Sequence, residues 1–174
     1  MAFKTMKPLL LSLTVLALAV SGCSVADTLP VDLPAQCLSM DISPYSVDES
    51  LVISKNGHQK AQFTVEIARD YATREQGLMC RREMAENRGM LFEFQDADQR
   101  NFWMQNTLIG LDIIYIAPDG KIVSIQKNAR PLDRTPLPSK GAASGVLEIG
   151  AGLSDKLGLA AGDTVIHPFF RKPS

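Results

Sequence analysis

Between Trp103 and Asp112 the chain gathers its single tryptophan, an amide, a hydroxyl and a carboxylate within ten residues: Trp103, Met104, Asn106, Thr107 and Asp112. An indole face stacks on the apolar face of a pyranose ring, and amide and carboxylate groups fix its hydroxyls, so this stretch is a candidate ligand site. The same residues also admit a structural reading, in which Trp103 and Met104 pack the core while Asn106 and Asp112 satisfy backbone groups around a turn. Arg74, Arg81, Arg82 and Arg88 form a second group. Arg74 and Arg81 are spaced two helical turns apart, so on one helix face they would present guanidinium forks to a carboxylate or phosphate. With Glu75, Glu83 and Glu86 interleaved, a solvated, salt-bridged face is the alternative.

Acid–base chemistry could come from Glu66, Glu93, Asp112, Glu148 and Asp163, which fall on separate expected strands. Two such carboxylates roughly 5–9 Å apart can act as the acid and base of a glycosidase. The two histidines, His58 and His167, do not fall in a metal-ligand spacing such as HExxH, so no metal site is expected. The glycine-rich stretch 141–152 lacks the lysine and the strand-to-helix framing of a phosphate loop, and no cofactor is implied. Cys80 could serve as a nucleophile only beside a base, and nothing in the sequence puts a histidine there.

The elements that would position these groups are mostly strands. Residues 51–54 and 62–68 flank Asn56-Gly57, a dipeptide suited to the positive φ values of a tight hairpin, and Phe63, Val65 and Ile67 alternate with polar neighbours. Asp70 is a candidate cap for a helix over about residues 71–82. Residues 89–94, 101–107 and 111–117 are three further strand-like runs, and Pro118-Asp119-Gly120 marks a turn into a strand over 121–126. Strands over 145–149 and 163–170, with a short helix around 154–159, complete a mainly β pattern: a compact sandwich or barrel-like domain with one or two short helices. Alternating βαβ units are not expected, which disfavours a doubly wound sheet.

At these residues the chain resembles a known family. Residues 74–79 (REQGLM), Arg81, Met84, Asn87, 89–92 (GMLF), 102–107 (FWMQNT) and 111–114 (LDII) are similar to the ordered signature of the domain of unknown function 192 family. The similarity continues through Asp119-Gly120, 140–143 (KGAA), 146–148 (VLE), Leu157-Gly158 and Gly162-Asp163, over about residues 60–168. Gly110 departs from it, standing where the family pattern usually carries proline. The resemblance implies a small β-rich domain with short helices and brings no activity with it.

The N-terminus bears on location. Lys4 and Lys7 precede a twelve-residue apolar run, 9–20, which is too short for a membrane span of roughly 20 residues and fits a secretion signal. Val20-Ser21-Gly22-Cys23 follows as a lipoprotein processing site, making residues 1–22 the signal and Cys23 the lipidated first residue of the mature chain. An ordinary secretory signal that happens to end near a cysteine is the alternative. Ser24 carries no inner-membrane retention signal, so an outer-membrane anchor facing the periplasm is expected. Residues 23–50, with Pro30, Pro34 and Pro44, read as a tether, and residues 51–174 as one domain. In an oxidising compartment Cys37 and Cys80 either pair as a disulfide or stay free, and spacing alone leaves both open.

Removing residues 1–22 takes away two lysines and no acid, leaving a formal net charge of about minus three, which argues against a nucleic-acid partner. The expected function is a lipid-anchored, non-catalytic envelope module that recognises a saccharide, small ligand or partner protein. The alternative is a carboxylate-dependent hydrolase of envelope glycans. Scarce histidine, no nucleophile elbow and no metal motif favour the first.

Overall fold

A computed structural model describes residues 33–43 and 48–170. The expected signal, Cys23 and the first part of the tether lie outside the described residues. Asn56 (φ 50°) and Gly57 (φ 81°) make the expected hairpin turn between β1 (Glu49–Lys55) and β2 (His58–Ala68), which pair antiparallel with Leu51 opposite Phe63. Such a turn needs two successive positive φ values, which Asn-Gly adopts at little cost.

After β2 the chain forms α1 (Tyr71–Gln76) and returns as β3 (Arg88–Phe102) parallel to β2, with Glu66 opposite Met90. Parallel neighbours require a crossover, so one βαβ unit is present where none was expected. Its helix is only six residues long, and most of the crossover is irregular and gives no helical period. Asp70 caps α1 as expected: its carboxylate accepts from Thr73 N at 2.9 Å, and Thr73 Oγ1 accepts from Asp70 N at 3.3 Å. The helix stops at Gln76 rather than near Arg82, because Gly77 at φ 50° turns the chain away. Arg74 and Arg81 therefore do not share a helix face.

β3 pairs antiparallel with β6 (Leu137–Gly150) through register shifts at Glu93/Asp98 and Gln99/Asn101. These bulges let one long strand replace the two expected over 89–94 and 101–107, and residues 103–107 leave the sheet as a turn. β4 (Leu111–Ile116) lies between β6 and β5 (Ile122–Ala129), and β7 (Thr164–Ile166) pairs with β1. The strand order is β5-β4-β6-β3-β2-β1-β7, and a bridge from Lys121 to Thr164 brings the two ends together, so the sheet curls into a half-barrel. The short helix α2 (Leu153–Lys156) follows β6, and Pro168–Phe170 close the described chain as a 3-10 turn rather than as strand. Gly145 leaves room for the Phe170 ring, which a Cβ there would meet at 2.5 Å and displace.

The sheet is buried on both faces. One core draws on all seven strands, with Leu51, Phe63, Leu91, Ile114, Leu147 and Val165 among its members. The other lies behind β2, β3, β4, β5 and β6, around Met90, Phe92, Ile113, Tyr115 and Val146, and is covered by Leu78 and Met104 from irregular segments. All six residues of β4 are consequently buried, alternating between the two cores. The second face is the one that opens into a cleft.

Candidate functional site

The cleft has a volume of ≈ 560 Å³ and lies where α1 and the turn after β3 stand over the second face. α1 supplies Tyr71, Arg74 and Glu75, β3 supplies Phe92, Phe94 and Phe102, and Trp103 and Thr107 come from the following turn. Gly77 lets the end of α1 close on the aromatic wall: a Cβ there would stand 3.2 Å from the Phe92 ring. Phe92 meets Phe102 edge-on at 5.0 Å, and Phe102 meets Tyr115 at 6.1 Å, which fixes the wall as a stack of interlocked rings. Trp103 is half exposed at 51%, the most open large aromatic of the cleft after Tyr71.

Glu148 also lines the cleft. It sits on β6 opposite Met90 of β3 and Ile113 of β4, only 4% exposed, and its side chain makes no hydrogen bond among the described residues. Its apolar surroundings disfavour the charged form, and burial pushes its carboxyl up to about 8. Tyr115, in the same layer, is pushed up by burial and secondarily by the Glu148 charge, and its hydroxyl donates to the Leu137 carbonyl.

The other carboxylates raised by the sequence have partners. Asp112 is fully buried and accepts from Asn128 N at 2.8 Å, Ser154 N at 2.8 Å and Ser154 Oγ at 2.5 Å, outside the cleft. Asp163, despite burial, is held below the usual carboxylate range by Lys60 at 2.6 Å and Ala160 N at 2.9 Å. Glu93 stands 3.5 Å from Arg69, and its carboxyl is raised by burial. Glu66 accepts from Arg81 Nη1 and Nη2, at 2.9 and 2.7 Å, beside a separate recess of ≈ 470 Å³ that Leu78 shares with the cleft.

Of the residues expected to form a site, Trp103, Thr107 and Arg74 meet in the cleft, whereas Asn106, Asp112 and Arg81 do not line it. Arg74 donates Nη1 to the carbonyls of Arg69 (2.5 Å) and Glu93 (2.9 Å) and lies over the Phe94 ring at 5.0 Å. Asn106, at φ 55°, donates to Gln36 and lends its carbonyl to Cys80 N. Cys37 and Cys80 form a disulfide, with Cα atoms 5.2 Å apart. Part of the segment expected as a tether thus docks on the domain at Cys80, and Cys80 N donates to the Asn106 carbonyl at 2.8 Å, which joins the 77–80 and 103–107 segments from which Leu78, Met79, Trp103 and Thr107 reach the cleft. Neither histidine lines it; His167 is buried 3.2 Å from Glu49. Among the described residues no cluster of three or more His, Cys, Asp or Glu side chains could hold a metal ion.

The sequence reading missed the special standing of Glu148 and the ring wall. The signal for Glu148 was present, since it is the one polar residue of the run 145–149 (GVLEI). The blocks 74–79, 89–92, 102–107 and 146–148, which carry the family resemblance, are separated along the chain and converge on this cleft.

The DUF192 family model, described as uncharacterised ACR, matches residues 52–167. A crystal structure of a protein of unknown function from Novosphingobium aromaticivorans superposes with a TM-score of 0.68 at 35% identity, covering 76% of this chain and 96% of that one. A Sinorhizobium meliloti protein provisionally labelled a transcription regulator superposes with a TM-score of 0.66 at 39% identity, covering 69% of this chain and 93% of that one. Among curated proteins the chain has no match.

Proposed function

The chain belongs to the DUF192 family, and from the cleft that its signature blocks build we propose that it is a ligand-binding module of the cell envelope, anchored by lipid at Cys23 to the outer membrane and facing the periplasm. The observation that carries the binding reading is the half-exposed Trp103 beside an aromatic-walled cleft into which Glu148 opens without a hydrogen-bond or ion-pair partner among the described residues. A saccharide fits such a surface, with one ring face against the indole and its polar groups toward Glu148 and Arg74. The regulator label of the Sinorhizobium protein would call for a basic surface. Here the formal net charge is −1, and Arg81, Arg88, Arg100 and Arg130 each pair with a carboxylate.

Titration of the lipidated protein, in a non-ionic polyoxyethylene detergent, with envelope glycan fragments tests the reading. The Trp103 fluorescence should shift saturably, and Trp103→Ala, folded by circular dichroism, should lose the binding. Flat fluorescence and an unmoved melting temperature across the panel would sink it, since a ligand at a hundred times its Kd adds about 2.7 kcal/mol. A hydrolase reading draws on one feature: Glu66 and Glu148 share a face of the sheet on either side of Met90, roughly two strand spacings or ~9.5 Å apart. Leu78 and Met90 stand between the two carboxylates, which favours binding over turnover. Glycan cleavage abolished by Glu148→Gln would reverse that preference.

A further inference from the structure

We propose that the cleft takes a ligand bearing an ammonium group, with Glu148 as its counter-charge and the rings of Phe92, Phe102 and Trp103 lining the space around it, an inference that rests on the ligand-binding reading above. A buried carboxyl normally finds a donor, and in this protein Asp112 and Asp163 do. Glu148 stands apart: 4% exposed, open to the cleft, and with no ion pair or hydrogen bond among the described residues. The partner that compensates a desolvated carboxylate most fully is a cation. The described residues around it lack a metal-ligating set, so the cation is organic, one that a single carboxylate and ring faces satisfy. The fold already stacks cations on this wall, with the Arg74 and Arg100 guanidinium carbons 5.0 and 4.1 Å from the Phe94 centroid. For a saccharide ligand the inference specifies an amino sugar with a free amine.

Several titratable groups surround Glu148. Tyr115 lies on β4, with its phenol raised well above the working range. Tyr71, Arg74 and Glu75 line the cleft from α1. Glu66 lies across Met90 on β2 and is held by Arg81. Arg74 is committed to two backbone carbonyls and makes no ion pair with Glu148 among the described residues. Binding a permanent cation must therefore release the Glu148 proton to solvent, since burial has pushed that carboxyl up to about 8. The cation's affinity should rise about tenfold per pH unit below that value and level off above it.

The test uses choline and its uncharged isostere 3,3-dimethyl-1-butanol, titrated into the full lipidated protein from pH 6 to pH 9, followed by Trp103 fluorescence and ligand NMR line width. Choline should bind at least tenfold more tightly than the alcohol, with the stated pH slope, and Glu148→Gln should abolish both the preference and the slope while keeping the fold. Trp103→Leu, followed by NMR alone, should weaken choline and leave the slope. Equal binding of the two probes, a flat pH profile, or no saturation by choline overturns the inference. Glycan fragments titrated in the same samples separate this from the broader reading. A glycan that binds Glu148→Gln as well as the native protein leaves the binding module standing without its ammonium, and silence from glycan and choline alike removes both.

Discussion

Asp112 and Glu148 occupy adjacent pairs of the same β4–β6 ladder, Asp112 opposite Ile149 and Glu148 opposite Ile113, and they face opposite sides of the sheet. Both are buried. Asp112 collects three hydrogen bonds, from the end of β5 and the start of α2, and so ties two elements to β4. Glu148 collects none among the described residues and looks into a cleft. The difference shows how a small domain divides the cost of burying carboxyls. On one side the charge is offset within the fold, and on the other no group among the described residues offsets it and burial holds the carboxyl toward its neutral form.

Opening the disulfide should give the largest effect. Cys37 and Cys80 are 43 residues apart, so Cys80→Ser should cost about 4 kcal/mol in denaturant unfolding and loosen the cleft wall without touching Asp112. Alkylation of the unreduced native protein should find neither cysteine free. Next, Asp112→Ala strands two backbone N–H groups and a hydroxyl in a fully buried site, and should cost about 3 kcal/mol. A loss under 1 kcal/mol would mean that Asp112 is no more tied down than Glu148.

The mirror experiment on Glu148 reverses the sign. Its folded-state carboxyl is raised by burial from 4.5 to about 8, so its contribution is fully present below the unfolded value and is lost as pH rises through that window. The native protein should lose about 2–3 kcal/mol relative to Glu148→Gln between pH 5 and pH 7, approaching the limiting slope of about 1.4 kcal/mol per unit. Parallel stability curves would erase the distinction between the two carboxyls. The smallest effect is expected at Trp103→Ala, below about 0.5 kcal/mol of stability for a half-exposed ring, against a large loss of ligand response. Only a binding residue shows that split.

The readability of the chain follows the same division. The Asn56-Gly57 hairpin, the Asp70 cap, the turn at Gly120 and the β-rich character are set by local chemistry, and the sequence announces them. The parallel return of β3 and the merging of two runs through bulges depend on partners far along the chain, and periodicity carries no trace of them. Trp103 stood out by rarity, but Asp112 drew attention as a site residue when its geometry is that of a brace. Glu148 was one carboxylate among five, because its significance lies in what is missing around it, and only packing reveals that. The paired arginines were misgrouped for a related reason: a positive φ at Gly77 cut the helix that would have aligned them.

The seam where the curled sheet meets itself governs how copies of the protein treat one another. An open sheet offers a row of unpaired amides to any neighbouring strand, the template from which aggregates grow. Here β7 spans only three residues, and the bridge between Lys121 and Thr164 occupies the approach to β5, with the lysine ammonium donating to the threonine hydroxyl at 2.7 Å. A short terminal strand and a charge at the junction leave little edge for a second molecule to extend. Copies of the protein can then come close without adding strand to strand.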